Sequence, residues 1–240
     1  MAEPIASELA VVGFDTATVD TAVCATRGDT VLAEALVGPG DDGPRHSTAL
    51  LALVEEAAAA TGGWGAVGRL AVGLGPGSFV GIRIALATAV GLAASTGLPV
   101  TGICTLDALG SGLRALDDAG RECLAVLDAR RGEVFAALYA PAGERLWAPF
   151  VAAPTELAER LAERPAPPLA GGPGAVRFRP ELAHSGAEIP DDSDPVHRVA
   201  ARHLCRAVAD RGSDGPLEPI YLRPPDAERW RDRDTSQRSR

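Results

Sequence analysis

Apolar positions recur along this chain with two periods, and the switches between them mark the elements. Leu9–Asp15 is a near-continuous apolar run ending in an acid, which predicts a buried strand. Val19–Arg27 and Thr30–Val37 predict two more strands, joined by Gly28-Asp29, a two-residue hairpin signal. After a loop at 38–45, His46–Ala60 places Leu50, Leu51, Leu53, Val54 and Ala57 at helical spacing, with Glu55 and Glu56 on the wet face. Leu70–Leu74 predicts a strand, 79–96 a long helix, Leu98–Cys104 a strand and Thr105–Leu116 a helix.

Near residue 120 the pattern starts again. Cys123–Asp128 is an apolar strand ending in an acid, followed by strands at Glu133–Tyr139 and Arg145–Val151. A helix at Pro154–Arg164 has Thr155 as its expected cap. Pro168–Gly172 predicts a short strand, 173–194 a loop, Pro195–Arg211 an amphipathic helix and Pro219–Arg223 a last strand. Strand–strand–strand–helix–strand thus occurs twice, with Asp15 and Asp128 at equivalent places. Two such units predict a duplicated α/β fold with a cleft between the halves.

Two stretches carry candidate chemistry. Gly73, Gly75, Pro76, Gly77, Ser78 and Gly81 surround a strand-to-helix junction with Ser78 placed to cap the helix. The spacing is not G-x-G-x-x-G, not Walker A and not G-x-S-x-G. Two readings stay open: a turn where another backbone comes close, or an anion held at the helix N-terminus. The helix itself has stripes Ile82-Leu86-Ala89-Ala93, Ala85-Thr88-Leu92-Thr96 and Arg83-Ala87-Val90-Ala94, with no charge beyond Arg83. A helix without a wet face is expected to be buried on all sides, by its own sheet and then by a second domain or another protein. Small Ala87, Gly91 and Ala94 would admit a close neighbour.

The second candidate is the pair of acids. Asp15, Thr16 and Thr18 follow the first strand; Asp128, Arg130 and Gly132 follow its counterpart. Acids facing a cleft could hold a metal or act as a general base. Phosphate-cradling hairpins would want glycine at the tip, where Ala17, Arg130 and Arg131 stand, so the site reads as altered or lost. Arg130 and Glu133 have surface ion pairs as their bland alternative.

Composition narrows this. The 240 residues contain no lysine, which removes a Walker A lysine, a Schiff base and a Ser–Lys dyad. The net charge of −9 disfavours direct, tight nucleic-acid binding. Cys24, Cys104, Cys123 and Cys205 form no C-x-x-C and read as buried free thiols in a reducing compartment. His197 and His203 would sit about 240° apart on a helix, so they cannot share a metal, and no metal site is expected. The first residues lack a basic start and a long apolar core, and no apolar run reads as clean enough to span a membrane, so a cytoplasmic protein is expected. The tail at 224–240 mixes acids and arginines without an apolar period and is expected to be disordered.

Several segments, in order, carry a resemblance. GLGPGSFVGIRIALATAVGLA (73–93) resembles the signature of the bacterial TsaB family, also called YeaZ. FDTAT (14–18), RHS (45–47), GICTLDAL (102–109), LDARRGEVFAALY (127–139) and IYLRPPDA (220–227) are similar to family segments. The variable stretch near 140–215 and the tail fall outside.

The resemblance implies the fold of actin, Hsp70 and sugar kinases (ASKHA): two βββαβα-type domains, 1–105 and a smaller 106–223. It implies a non-catalytic subunit in making N6-threonylcarbamoyladenosine at tRNA position 37. Such a subunit pairs with a catalytic TsaD-like protein, is joined by a TsaE-like ATPase, forms homodimers in isolation and meets tRNA through the complex. It implies no cofactor, with ATP or ADP only at the complex interface. The helices at 46–60 and 79–96 would form the partner surface, with Leu50, Val54, Phe79, Ile82, Arg83, Leu86, Ala87, Val90, Gly91 and Ala94 as candidates. Val80 and Val90 depart from the family's usual Thr and Lys. The alternatives are an ATP hydrolase using Asp15 and Asp128, a peptidase, or a nucleotide-binding module.

Overall fold

The first strand shows how the layers are laid down. In β1 (Ala10–Asp15), Val12 and Phe14 enter one core while Val11 and Gly13 face another, the period-two alternation of extended backbone. The computed structural model describes residues 9–211 and 217–223; the expected disordered tail at 224–240 lies outside them. β1 pairs antiparallel with β2 (Thr21–Arg27), and β2 antiparallel with β3 (Thr30–Val37). On its other side β1 pairs parallel with β4 (Val67–Gly73), and β4 parallel with β5 (Val100–Ile103). The order is β3-β2-β1-β4-β5.

The second sheet repeats this plan. Its strands are β6 (Cys123–Arg130), β7 (Glu133–Tyr139), β8 (Arg145–Ala152) and β9 (Leu169–Gly171), in the order β8-β7-β6-β9. Three antiparallel strands and one parallel neighbour thus recur, without a counterpart of β5 among the described residues. The expected last strand at 219–223 is irregular chain instead, its Ile220 N–H donating to the Leu74 carbonyl at 2.8 Å.

Helices fill the faces in alternation. α1 (His46–Ala60) and α2 (Phe79–Thr96) cover the outer face of the first sheet, where Leu50, Val54, Ala85 and Ala89 meet Val12, Phe14 and Val72. α3 (Thr105–Leu116) and α7 (Arg202–Arg211) lie between the sheets. There Leu106, Leu109, Leu204 and Cys205 join Cys24 and Ala71 of one sheet to Ala125 and Leu127 of the other. α4 (Pro154–Ala162), α5 (Pro173–Arg177) and α6 (Arg179–His184) cover the far face through Leu157, Leu161, Ala175 and Leu182. α7 follows the second sheet in sequence but packs on β1, β2, β4 and β5. All four cysteines are free and buried, as their spacing predicts.

Three expectations are corrected. α4 starts at Pro154 with Ala153 as an N-cap that makes no side-chain bond, and it stops at Ala162; proline presets φ for the first helical position, so Thr155 lies inside the helix. The 173–194 loop contains α5 and α6, each begun by a proline in its first turn. The helix expected over 195–211 is broken. Pro195–His197 is a 3-10 turn capped by the Asp194 carboxylate, Arg198 is extended, and α7 begins only at Arg202. The break lets the chain cross from the second layer to the first, with the Arg198 guanidinium donating to both Asp20 oxygens at 2.9 and 2.6 Å.

Candidate functional site

The glycines of the turn between β4 and α2 face a second loop. An added Cβ would lie 1.9 Å from the Asp15 carboxylate at Gly73, 2.2 Å from the Ala17 carbonyl oxygen at Gly77 and 1.8 Å from the Thr16 carbonyl oxygen at Gly81. Three glycines four residues apart therefore receive three consecutive residues of the loop after β1. The approach is sealed by Ser78 N–H donating to Ala17 O and the Thr16 hydroxyl donating to Gly81 O, both at 2.7 Å. Ser78 caps α2, its Oγ accepting from Gly81 N–H at 3.2 Å. Gly75, with φ of +87°, supplies the left-handed step. Of the two readings open for this turn, the geometry supports the close backbone approach: the chain's own loop occupies the helix start.

The two acids do not share a cleft. Asp15 is 1% exposed, and its carboxylate accepts from Ala17 N–H at 2.7 Å and from the Thr105 hydroxyl at 2.6 Å. Burial raises its pKa, with the Thr105 and Ala17 bonds opposing. The Thr105 oxygen also accepts from Gly75 N–H at 3.2 Å, so the acid, the start of α3 and the glycine turn form one buried network. Thr16 is fully buried as well. Asp15 and Thr16 are therefore structural, and the expectation of paired acids on a cleft is corrected.

Asp128 does line a cleft of about 650 Å³, together with Thr18, Asp20, Ser78, Arg130 and Arg177. Its carboxylate accepts from Arg130 N–H at 2.8 Å and pairs with the Arg177 guanidinium at 2.6 Å. The tip of this hairpin runs through three left-handed residues, Arg130 at +61°, Arg131 at +55° and Gly132 at +78°. Across the cleft, Asp20 is taken by Arg198. Glu133 pairs with Arg223 at 2.6 Å rather than with Arg130. Among the described residues, no group of three or more His, Cys, Asp or Glu is placed to hold a metal ion.

Histidines serve as braces here. His46, 5% exposed at the start of α1, faces the Thr21 hydroxyl through Nδ1 at 2.9 Å and the Thr18 carbonyl through Nε2 at 3.1 Å. A carbonyl can only accept, so Nε2 carries the proton; burial lowers the pKa and holds the ring neutral. His197 accepts from Gly172 N–H at 3.1 Å. Asp20, Arg177 and Arg198 were not singled out from sequence, because their partners lie far along the chain.

The face of α1 and α2 is open rather than enclosed. Only Gly81, Ile82, Ala85, Ala89 and Leu92 of α2 are buried, so within this chain the first sheet covers one side of the helix and the described residues of the second domain do not cover the other. The outward stripe is Arg83, Ala87, Val90 and Ala94, with Gly91 beside it. Val80 is 63% exposed, Val90 55% and Leu51 of α1 57%. Phe79 and Leu86 are half-buried, with the Phe79 ring between Tyr221 at 5.2 Å and the Arg83 guanidinium at 3.8 Å. Leu50, Val54 and Ile82, expected at an interface, are interior residues at 2%, 0% and 0% exposure and present nothing outward. Val80 was missed because the apolar pattern runs all round α2, and Leu51 because it follows buried Leu50 within the apolar run of α1 while lying on the exposed side with Glu55. With 18 residues and mean hydropathy 1.6, α2 is also long and apolar enough to cross a membrane by length and composition, contrary to expectation; its buried stripe places it on the first sheet.

Comparison with known proteins adds to this. The model of the family described as "TsaD: tRNA N6-adenosine threonylcarbamoyltransferase" matches residues 37–172, more than half of the chain. The Escherichia coli "tRNA threonylcarbamoyladenosine biosynthesis protein TsaB" is 29% identical over 224 residues, spanning 89% of this chain and 94% of that protein. An uncharacterized Mycobacterium leprae protein is 38% identical over 158 residues, covering 65% of this chain but 38% of its own length. An uncharacterized Mycobacterium tuberculosis protein is 38% identical over 156 residues, covering 65% of this chain and 64% of its own length. The structure of "YeaZ from Pseudomonas aeruginosa" superposes with a TM-score of 0.70 at 25% identity, covering 89% of this chain and all of that one.

Proposed function

Since the chain belongs to the TsaB (YeaZ) family, whose members are named for tRNA threonylcarbamoyladenosine biosynthesis, we propose that it is the non-catalytic scaffold subunit of that modification, acting at position 37 of tRNA. Its outward α1–α2 face docks and activates a TsaD-like catalytic subunit. A TsaE-like ATPase joins the pair, and tRNA is reached through the complex in the cytoplasm. In isolation the same face pairs two copies of the chain. The observation that carries this reading is the uncharged outward stripe of α2 beyond Arg83, with Val80 and Val90 more than half exposed. An exposed apolar patch rimmed by polar residues is a docking surface in the making.

The cleft supports a role without turnover. A nucleotide phosphate at the first hairpin would need the loop that lies against Gly73, Gly77 and Gly81. At the second it would meet Asp128 already held by Arg177. ATP or ADP therefore belongs at the interface of the assembled complex.

The experiment is reconstitution of tRNA modification with the cognate TsaD-like and TsaE-like proteins, omitting each protein in turn. Modification is expected to need this chain, and undiminished modification without it defeats the scaffold reading. Ala87→Arg should leave the unfolding midpoint of the monomer unchanged while abolishing co-purification with the TsaD-like subunit. Retained association places the interface elsewhere.

A further inference from the structure

A cavity of about 890 Å³ opens at the end of the first sheet opposite the glycine turn. Its walls are the starts of β1 and β4, the β2–β3 hairpin, the last turns of α3, Pro141 and α7. Among the described residues it is lined by three arginines, Arg69 (bonded to the Thr101 hydroxyl at 2.9 Å), Arg114 and Arg206, and by one acid, Asp29. In a protein of net charge −9 this is a local inversion of sign.

Several arginines elsewhere are matched with acids, as in Arg121–Asp117, Arg164–Glu122, Arg177–Asp128 and Arg198–Asp20, while Arg160 lies over the Trp147 and Phe150 rings. Arg114 and Arg206 have no such match among the described residues. Arg114 is also fixed in place. The β7–β8 turn lies directly on it, with Nη1 2.1 Å from where a Cβ of Gly143 would be. A second sign of the positive field stands behind the wall. His203 is 8% exposed with Nδ1 3.3 Å from the Ser111 hydroxyl. Burial and the charges of Arg202, Arg206 and Arg114 push its pKa down to about 4.

We propose that this cavity binds a small phosphorylated organic molecule, its phosphate held by Arg114 and Arg206 and its body against Val11, Ala115, Pro141 and Val208. The guanidinium fork matches phosphate oxygens two at a time. The Ser111 and Thr26 hydroxyls line the same wall as additional donors, and Asp29 supplies an acceptor for a hydroxyl on the ligand. The volume falls within the range of roughly 300–1,000 Å³ common for small-molecule sites. A concave, half-apolar site suits such a molecule better than a nucleic-acid backbone, which a positive groove tracks from outside.

The test is calorimetric titration of the full chain with phenyl phosphate, with inorganic phosphate and phenol as controls. Saturable binding of phenyl phosphate is expected, weaker for phosphate and absent for phenol. Arg114→Ala and Arg206→Ala should each weaken it about tenfold or more, the loss expected for a charge-assisted bond, with Arg114→Lys intermediate. The His203 ring resonances should titrate at higher pH in the complex, because the bound anion offsets the guanidinium charges. Absent or unsaturable binding overturns the proposal, as does binding untouched by either alanine. Displacement of phenyl phosphate by tRNA, or binding seen only after removal of residues 1–8, overturns it too.

Discussion

The glycine ladder makes a prediction of opposite sign at two positions of one helix. In Gly81→Ala the new methyl carbon would sit 1.8 Å from the Thr16 carbonyl oxygen, a backbone atom that no rotamer change can move. To reach ordinary contact distance, α2 and the loop must part by about 1.5 Å or more. Overpacking of this kind costs about 1–3 kcal/mol. The two 2.7 Å bonds that seal the approach, Ser78 N–H to Ala17 O and Thr16 Oγ1 to Gly81 O, are lost with it, at about 1 kcal/mol each. Against this, alanine is favoured over glycine in a helix by about 1 kcal/mol. The net expectation is a loss of about 2–4 kcal/mol. At Gly91 nothing lies within 4 Å of the added carbon, so Gly91→Ala keeps only the propensity gain of about 1 kcal/mol. Urea unfolding followed by far-ultraviolet circular dichroism reads both. If Gly81→Ala unfolds at or above the parent's midpoint, propensity alone governs the helix and the close-approach account is wrong.

Two further predictions concern buried titratable groups. His203 has a folded pKa of about 4 against 6.5 unfolded. Its contribution is therefore fully present above pH 6.5 and is lost as pH falls toward 4, about 3 kcal/mol in all. Stability of the parent should fall more steeply over that window than that of His203→Asn, and parallel curves would remove the histidine from the account. The four thiols are buried, with burial raising the Cys104 and Cys123 pKa values to about 11, and with a hydrogen bond to Cys24 and burial holding Cys205 well above its usual value. A disulfide reagent at pH 8 should label the native chain far more slowly than the urea-unfolded chain, which should yield all four; fast native labelling would place a thiol at the surface.

Local signals were legible wherever the element had local causes. α1, α2 and α3 have the bounds the apolar period predicts, and in α2 the Ser78 cap and left-handed Gly97 fix both ends. The repeat of strand order was also readable, and TsaB-like segments fell at its turns. What was not legible depends on distance along the chain. Asp15 reads as a cleft acid until Thr105 is seen to cover it from 90 residues away. The 195–211 stretch keeps a helical pattern, yet Arg198 is drawn out to Asp20, 178 residues upstream. The outward stripe of α2 could not be chosen from composition, since every stripe is apolar; packing on the sheet chose it.

The return of α7 to the first sheet has a consequence for how the chain is made. The inner face of that sheet, with Ala22, Cys24 and Ala71, is closed by Leu204 and Cys205. During synthesis those residues emerge after the whole second sheet, so the first half waits, partly uncovered, for the last helix. A fragment ended near residue 105 would carry all five strands of its sheet and still expose that face. Such a fragment should be recovered as aggregate, and the smallest well-behaved piece of this protein should be nearly the whole of it.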